Sequence, residues 1–253
     1  MDPSRRLVLK AASLGVAALS GARALAFGEA GAFNPRLLTG GARQPLAGRE
    51  TGASRWSWEL VRRTSAPARL VVSRVAADRP DLCAEPFAIW AGSTDAGTLS
   101  ASELRGLSRF FALGGLLVVD DSDPENGVFG RSARRELARV LPESPPVRLD
   151  PSHVLFKTYY IIDRPVGRAL GSGSVEAIVR GKAAQAIFLD IDLLGALARG
   201  GDSWAFDVAG GYAHREQAAR LAVNIAMYVL CSDYKDDQVH APWLMRRRAG
   251  LRR

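Results

Sequence analysis

The stretch from Ser100 to Asp121 constrains the fold more than any other part of this chain. Ser100-Ala101-Ser102-Glu103 has the spacing of a capping box, in which the serine hydroxyl and the glutamate carboxylate each satisfy an N–H at a helix start. Leu104, Leu107 and Phe111 then recur at helical spacing. Gly114-Gly115 ends the helix, because glycine takes the left-handed cap conformation cheaply. Leu116-Leu117-Val118-Val119-Asp120 follows as a continuous apolar run ending in acid, the pattern of a strand buried on both faces of a parallel sheet. Phe87-Ala88-Ile89-Trp90-Ala91 upstream is a run of the same kind. Strand, helix, glycine turn and strand make a βαβ unit, whose crossover is right-handed.

The remaining segments extend this alternation. Arg36-Leu37-Leu38-Thr39 is a short apolar element followed by Gly40-Gly41, and Trp56–Thr64 has helical spacing. Leu70-Val71-Val72 and Ala186-Ile187-Phe188-Leu189-Asp190 read as buried strands, and Ser132–Leu141 as a helix closed by Pro142. Val154-Leu155-Phe156, Tyr159-Tyr160-Ile161-Ile162 and Val175–Val179 read as short strands of a hairpin-like insertion. Gln217–Leu230 is an amphipathic helix with Leu221, Ile225 and Val229 on its apolar stripe. The expected architecture is a three-layer α/β sandwich with a mostly parallel sheet and a small β insertion.

The two ends differ from this body. Arg5-Arg6 precedes a weakly apolar run of about 12 residues, Ala11–Ala22, and Ala24-Leu25-Ala26 supplies a small-x-small cleavage pattern. The run is shorter than the roughly 20 residues of a membrane span. The paired arginines match the twin-arginine class of export signal. Residues 1–26 are therefore read as a signal peptide, 27–34 as a linker, 35–232 as the α/β domain and 233–253 as a basic C-terminal tail. The expected location is periplasmic or extracellular, with the twin-arginine translocase and signal peptidase as partners during export. Removing residues 1–26 lowers the formal net charge from +8 to +5, and Arg246, Arg247, Arg248, Arg252 and Arg253 crowd the last eight positions. The body is about neutral, which argues against a nucleic-acid face, since that needs basic groups spread over folded structure. Cys83 and Cys231 match no metal spacing and no CxxC motif. Export would permit a disulfide between them, but two separate, mostly buried thiols are expected.

Four stretches together resemble a known family. They are Pro86–Gly92; Ser100-Ala101-Ser102-Glu103 running into Gly114–Asp121; the segment around His153-Val154-Leu155-Phe156; and Arg220-Leu221-Ala222-Val223-Asn224 with Tyr228. In these the chain is similar to the domain-of-unknown-function 4159 family. The resemblance implies the flavodoxin-like core of class I glutamine-amidotransferase-like domains and suggests an envelope protein complex. The chain departs from it in Val154, where relatives often carry proline, and in having no membrane segment.

In such a fold, ligands gather beyond the carboxyl ends of the strands. An amidotransferase would place a nucleophilic cysteine on the turn after a central strand, but Asp120-Asp121-Ser122-Asp123 stands there instead. Asp120, Asp121 and Asp190, with His153 approaching from the insertion, are the candidate catalytic residues. Asp120, Asp121, Asp190 and Asp192 are the candidate ligands for a hard cation. The competing reading gives each aspartate a cap on a local turn or helix start. Trp204 either packs in the core or stacks on a sugar or peptide. Arg220 and Asn224 are expected to hydrogen-bond into the sheet. No cofactor is implied. The function expected is a non-enzymatic, exported binding or scaffold domain; the rival is a hydrolase of envelope carbohydrate or peptide that uses the acids with His153.

The export reading predicts that replacing Arg5 and Arg6 with lysine traps precursor inside the cell, and that mature protein begins at Phe27. Mass spectrometry of the envelope fraction checks both; an intact Met1 terminus there would refute the signal.

Overall fold

A computed structural model describes residues 31–181 and 183–250, with side chains through Cys231, and the chain from Phe33 onward builds one seven-stranded sheet. Arg5, Arg6, Ala24 and Ala26 of the proposed signal lie outside the described residues. The strands are β1 (Arg36–Thr39), β2 (Arg74–Ala76), β3 (Phe87–Gly92), β4 (Leu116–Asp121), β5 (Val147–Arg148), β6 (Glu176–Arg180) and β7 (Ala183–Leu189), in the order β2-β1-β3-β4-β7-β6-β5. From β2 to β7 every neighbour is parallel; β6 and β5 then add an antiparallel edge. A separate hairpin joins β8 (Arg199–Gly200) to β9 (Ser203–Trp204). Among the described residues no helix is long and apolar enough to cross a membrane.

Among the described residues, five α-helices cover the two faces. They are α1 (Glu50–Thr64), α2 (Ala101–Ala112), α3 (Val128–Val140), α4 (Leu193–Leu197) and α5 (Gly211–Gly250). On one face Trp56 and Leu60 of α1, Leu194 of α4 and Leu221 and Ile225 of α5 pack on Leu37, Phe87, Ile89, Val118 and Ile187. On the other, Phe110 and Phe111 of α2 and Phe129 and Leu137 of α3 pack on Ala88, Trp90, Leu117, Val119 and Phe188. Successive strand residues point to opposite faces, so a strand covered on both sides must be apolar throughout. That is why Leu116–Val119 shows no alternation.

The βαβ unit forms as its local signals require. Ser100 Oγ accepts the Glu103 N–H at 3.3 Å and Glu103 Oε2 accepts the Ser100 N–H at 2.7 Å, closing the capping box. The helix then delivers β4 beside β3, with Phe87 opposite Leu116 and Gly92 opposite Asp121.

Several expectations are corrected. Leu70-Val71-Val72 is not a strand: Val71 is 84% exposed, and the strand begins at Arg74, where only Val75 of the edge strand is buried. Val154-Leu155-Phe156 is a 3-10 turn and Tyr159–Ile162 is irregular. The cause is a side chain that replaces a strand neighbour. Asn224 Oδ1 accepts the N–H groups of Tyr159 (3.2 Å) and Tyr160 (2.7 Å), and its Nδ2 donates to the carbonyls of Leu155 and Tyr160. Asn224 therefore holds this loop rather than the sheet. Arg220, expected to do likewise, pairs with Glu216 at 2.9 Å and lies over the Tyr160 ring. Both cysteines are free. Cys83 is half-buried, but Cys231 is exposed, because it sits where α5 leaves the core after Tyr228 and Val229. Helix α5 also starts earlier than expected and continues through Gly250, into the basic segment.

Gly106, inside α2, touches the chain beneath it: a Cβ there would stand 1.9 Å from the Ala77 carbonyl oxygen. In an open helix Gly→Ala gains about 0.5–1 kcal/mol. Here Gly106→Ala should instead lose about 1–3 kcal/mol through overpacking, lowering the thermal midpoint by several degrees. A raised midpoint would show that α2 does not approach Ala77 so closely.

Candidate functional site

Asp120 and Asp121 end β4 on consecutive residues, so their side chains turn to opposite faces of the sheet. Each meets the start of the helix on its own side. Asp120, fully buried, accepts the backbone N–H groups of Leu193 and Leu194 at 2.8 Å each and so caps α4. Asp121 accepts the N–H groups of Asp123 (2.9 Å) and Gly130 (2.8 Å). Gly130 lies in the first turn of α3, whose N-cap, Gly127, brings no side chain to do this. Unpaired N–H groups at helix starts favour such acceptors.

The Asp120 side carries a buried charge network. Asp192, in a left-handed conformation (φ 54°), caps α4 through the Gly195 N–H at 3.0 Å. Arg49 grips it with two parallel bonds, Nε to Oδ1 and Nη2 to Oδ2, both 2.8 Å, and Arg168 bonds Oδ2 from another side. Arg49 also donates to the Ser122 carbonyl at 3.3 Å and lies 4.4 Å from the Phe206 ring centre. Burial, with the Asp192 charge close by, pushes the Asp120 carboxyl well above its ordinary value, against the pull of the Leu194 and Leu193 N–H groups and Arg49. Burial opposes the Arg49 charge as well, but its paired Asp192 outweighs that and raises its pKa.

The Asp121 side is more open. Burial raises the Asp121 carboxyl, with its two N–H donors opposing. A Cβ on Gly130 would lie 2.9 Å from both Asp121 Oδ2 and Asp190 Oδ1, so these carboxylates flank that glycine. Asp190 is half-exposed and pairs with Arg134 at 2.8 Å, which also binds Glu176 at 2.9 Å.

The acids thus meet as two pairs, Asp120 with Asp192 and Asp121 with Asp190. His153 joins neither. Its Nδ1 accepts the Leu155 N–H at 3.2 Å and its ring lies 6.1 Å from that of Tyr228. Tyr228 in turn accepts the Ala184 N–H at the start of β7, the opposite end of that strand from Asp190. Among the described residues no group of three His, Cys, Asp or Glu is placed to hold a metal ion.

Sequence reasoning missed a second feature. The chain leaves β1 for α1 on one face and leaves the adjacent β3 for α2 on the other. Where neighbouring parallel strands send their connections apart, a crevice opens at their carboxyl ends. It measures about 550 Å³ here, lined among others by Thr39, Gly41, Arg43, Gln44, Trp90 and Glu103. Its walls are clamped. Gly41 (φ 63°) donates its N–H to Glu103 Oε1 at 2.9 Å, and a Cβ there would meet the Ala96 oxygen at 2.2 Å. Glu103 therefore both closes the capping box and fixes the crevice loop; burial opposes its charge, but the Ser100 and Gly41 N–H groups win and hold its pKa below the ordinary value. Gln44 bridges to the loop after β3, accepting from Thr94 (N 3.2 Å, Oγ1 3.0 Å) and donating to the Asp95 carbonyl at 2.9 Å. The signal that could have found this site is Gly40-Gly41 directly after a four-residue strand.

These features define an α/β protein with a mostly parallel sheet and a preformed crevice at the carboxyl edge. The chain belongs to the family described as Domain of unknown function (DUF4159), whose model matches residues 36–230, from the first residue of β1 to the last buried turns of α5. Comparison with curated proteins finds no match.

Arg49→Met should cost about 3–5 kcal/mol, because it leaves two buried carboxylates facing Arg168 alone. Adding Asp120→Asn should recover part of the loss, a coupling that a double-mutant cycle measures. The pH sign follows from the raised Asp120 pKa. The folded state holds that proton more tightly than the unfolded state, so this contribution to stability falls as pH rises from the ordinary carboxylate value through the folded one. The Arg49→Met deficit should therefore shrink at mildly acid pH in thermal melts; additive losses and no pH dependence would contradict the network.

Proposed function

We propose that this chain is an exported, non-catalytic α/β domain that binds a small polar ligand, or a partner presenting one, in the cell envelope. The observation that carries the reading is the clamped crevice between β1 and β3. Its volume falls within the range of about 300–1,000 Å³ common for ligand sites. Arg43 stands at its rim with no hydrogen bond or ion pair among the described residues. The strand order β2-β1-β3-β4-β7 supports the flavodoxin-like arrangement implied by the resemblance to class I amidotransferase-like domains, and in that arrangement the β1/β3 edge is the usual ligand position. Export rests on Arg5-Arg6, the weak apolar run and Ala24-Leu25-Ala26.

Hydrolysis is the weaker reading. A general acid or base needs an oxygen free to meet substrate. Asp120, Asp121, Asp190 and Asp192 instead hold helix starts or arginines, and His153 is at the other end of the sheet.

Thermal-shift screening of sugars, short peptides and nucleotides against the mature protein and its Thr39→Trp variant tests the proposal. Thr39 is exposed at the crevice, so tryptophan there should block the site and leave the ligand-free melt near that of the parent. A ligand at a hundred times its Kd should stabilise the parent by about 2.7 kcal/mol, several degrees at this size, and the variant hardly at all. Equal shifts in both proteins, or turnover of any screened compound, would refute the reading.

A further inference from the structure

A second cavity lies between α1, the start of α5 and the β8–β9 hairpin. It measures about 180 Å³ and is lined by Arg55, Arg62, Arg215, Trp204, Tyr212 and the glutamates Glu59 and Glu216, among others. Arg215 is the unusual member. It is only 7% exposed, and its guanidinium donates to two carbonyls, those of Ala196 and Phe206. No carboxylate among the described residues reaches it within ion-pair distance; Asp207 acts on it only through space, and burial lowers its pKa. A buried cation without a countercharge is costly.

The nearby acids are already engaged. Glu59 accepts from Arg55 (2.6 Å) and Arg63 (2.6 Å). Glu216 takes two bonds from Arg63 (2.8 and 2.7 Å) and one from Arg220 (2.9 Å), which hold its carboxyl at about 2. That leaves Arg62, whose contacts are a 3.7 Å approach to Glu59 and the Trp58 face, and Arg199, which bonds only the Asp202 carbonyl and the Trp204 face. Two tryptophans order the guanidiniums. Trp204 has Arg215, Arg199 and Arg55 at 4.2, 4.7 and 5.3 Å from its ring centre, and Trp58 has Arg55 and Arg62 at 3.7 and 4.9 Å. Stacking on a ring holds the guanidinium plane while leaving N–H edges free for an oxyanion.

We propose that this cavity is an anion site that takes the phosphate group of a larger ligand, with Arg62 and Arg215 of its wall and Arg199, which stacks on the wall residue Trp204 beside Arg215, as its cations. Arg199 and Arg215 have no carboxylate within ion-pair distance among the described residues, and Arg62 meets only Glu59, which Arg55 and Arg63 already engage, so the set suits a tetrahedral anion with several oxygens better than a single carboxylate. The volume falls below the range for whole small-molecule ligands, so it fits one headgroup, with the exposed Tyr212 at its rim. Soluble phosphate esters and anionic lipids both present such a group, and the site is independent of the β1–β3 crevice.

The test uses mature wild-type protein with the Arg62→Gln, Arg199→Gln and Thr39→Trp variants, titrated by calorimetry with inorganic phosphate and by co-sedimentation with phosphatidylglycerol or phosphatidylcholine vesicles. Phosphate should bind wild type and Thr39→Trp alike and about tenfold more weakly to either arginine variant, a difference of about 1.4 kcal/mol. Sedimentation with phosphatidylglycerol alone, lost in the arginine variants, assigns the phosphate to a lipid; phosphate binding without sedimentation assigns it to a soluble ester. Failure of wild type to bind either probe overturns the site, as does binding that survives both arginine substitutions. Loss of binding in Thr39→Trp would move the anion to the crevice and overturn it too.

Discussion

The structure turns on the carboxyl end of β4. Two consecutive aspartates there face opposite sides of the sheet, and each meets the N-terminus of the helix on its side. A strand gives this placement without cost, because its side chains alternate. One strand end thereby sets where both helical layers begin. Asp120 fixes α4, which packs with α1 and α5, and Asp121 fixes α3, which packs with α2.

Placing Asp120 in the core brings its own requirement. A buried carboxylate beside a second one needs countercharge, and Arg49 and Arg168 converge on Asp192 to supply it. Such networks add little net stability compared with apolar packing, yet removing one member is severe. Arg49 also lies directly before α1, and its Nη1 reaches the carbonyl of Leu46, a residue of the crevice wall, at 3.5 Å. The network that seats α4 therefore also borders the proposed ligand site.

This arrangement changes what the acids mean for function. Carboxylates at a strand end look like catalytic or metal-binding groups when only their positions along the chain are known. Here their oxygens accept from backbone N–H groups and arginines. The open donors lie elsewhere: the rim of the crevice between β1 and β3, and the ordered guanidiniums around Trp58 and Trp204.

The sequence alone determined the β3–α2–β4 unit, because a capping box, a helical stripe, a glycine stop and a fully apolar strand are all set by neighbours a few residues apart. It also gave the capping role of aspartate as a class. It did not reveal which helix each aspartate caps: Leu193 is 73 residues from Asp120, and Asp192 is 143 from Arg49. The loop at 154–162 was misread for the same reason, since its backbone groups are satisfied by Asn224, more than sixty positions away. The crevice was hidden because Gly40-Gly41 looks like any turn until β1 and β3 lie side by side. Short-range order is written in local spacing, whereas partners and cavities exist only once distant segments share a sheet.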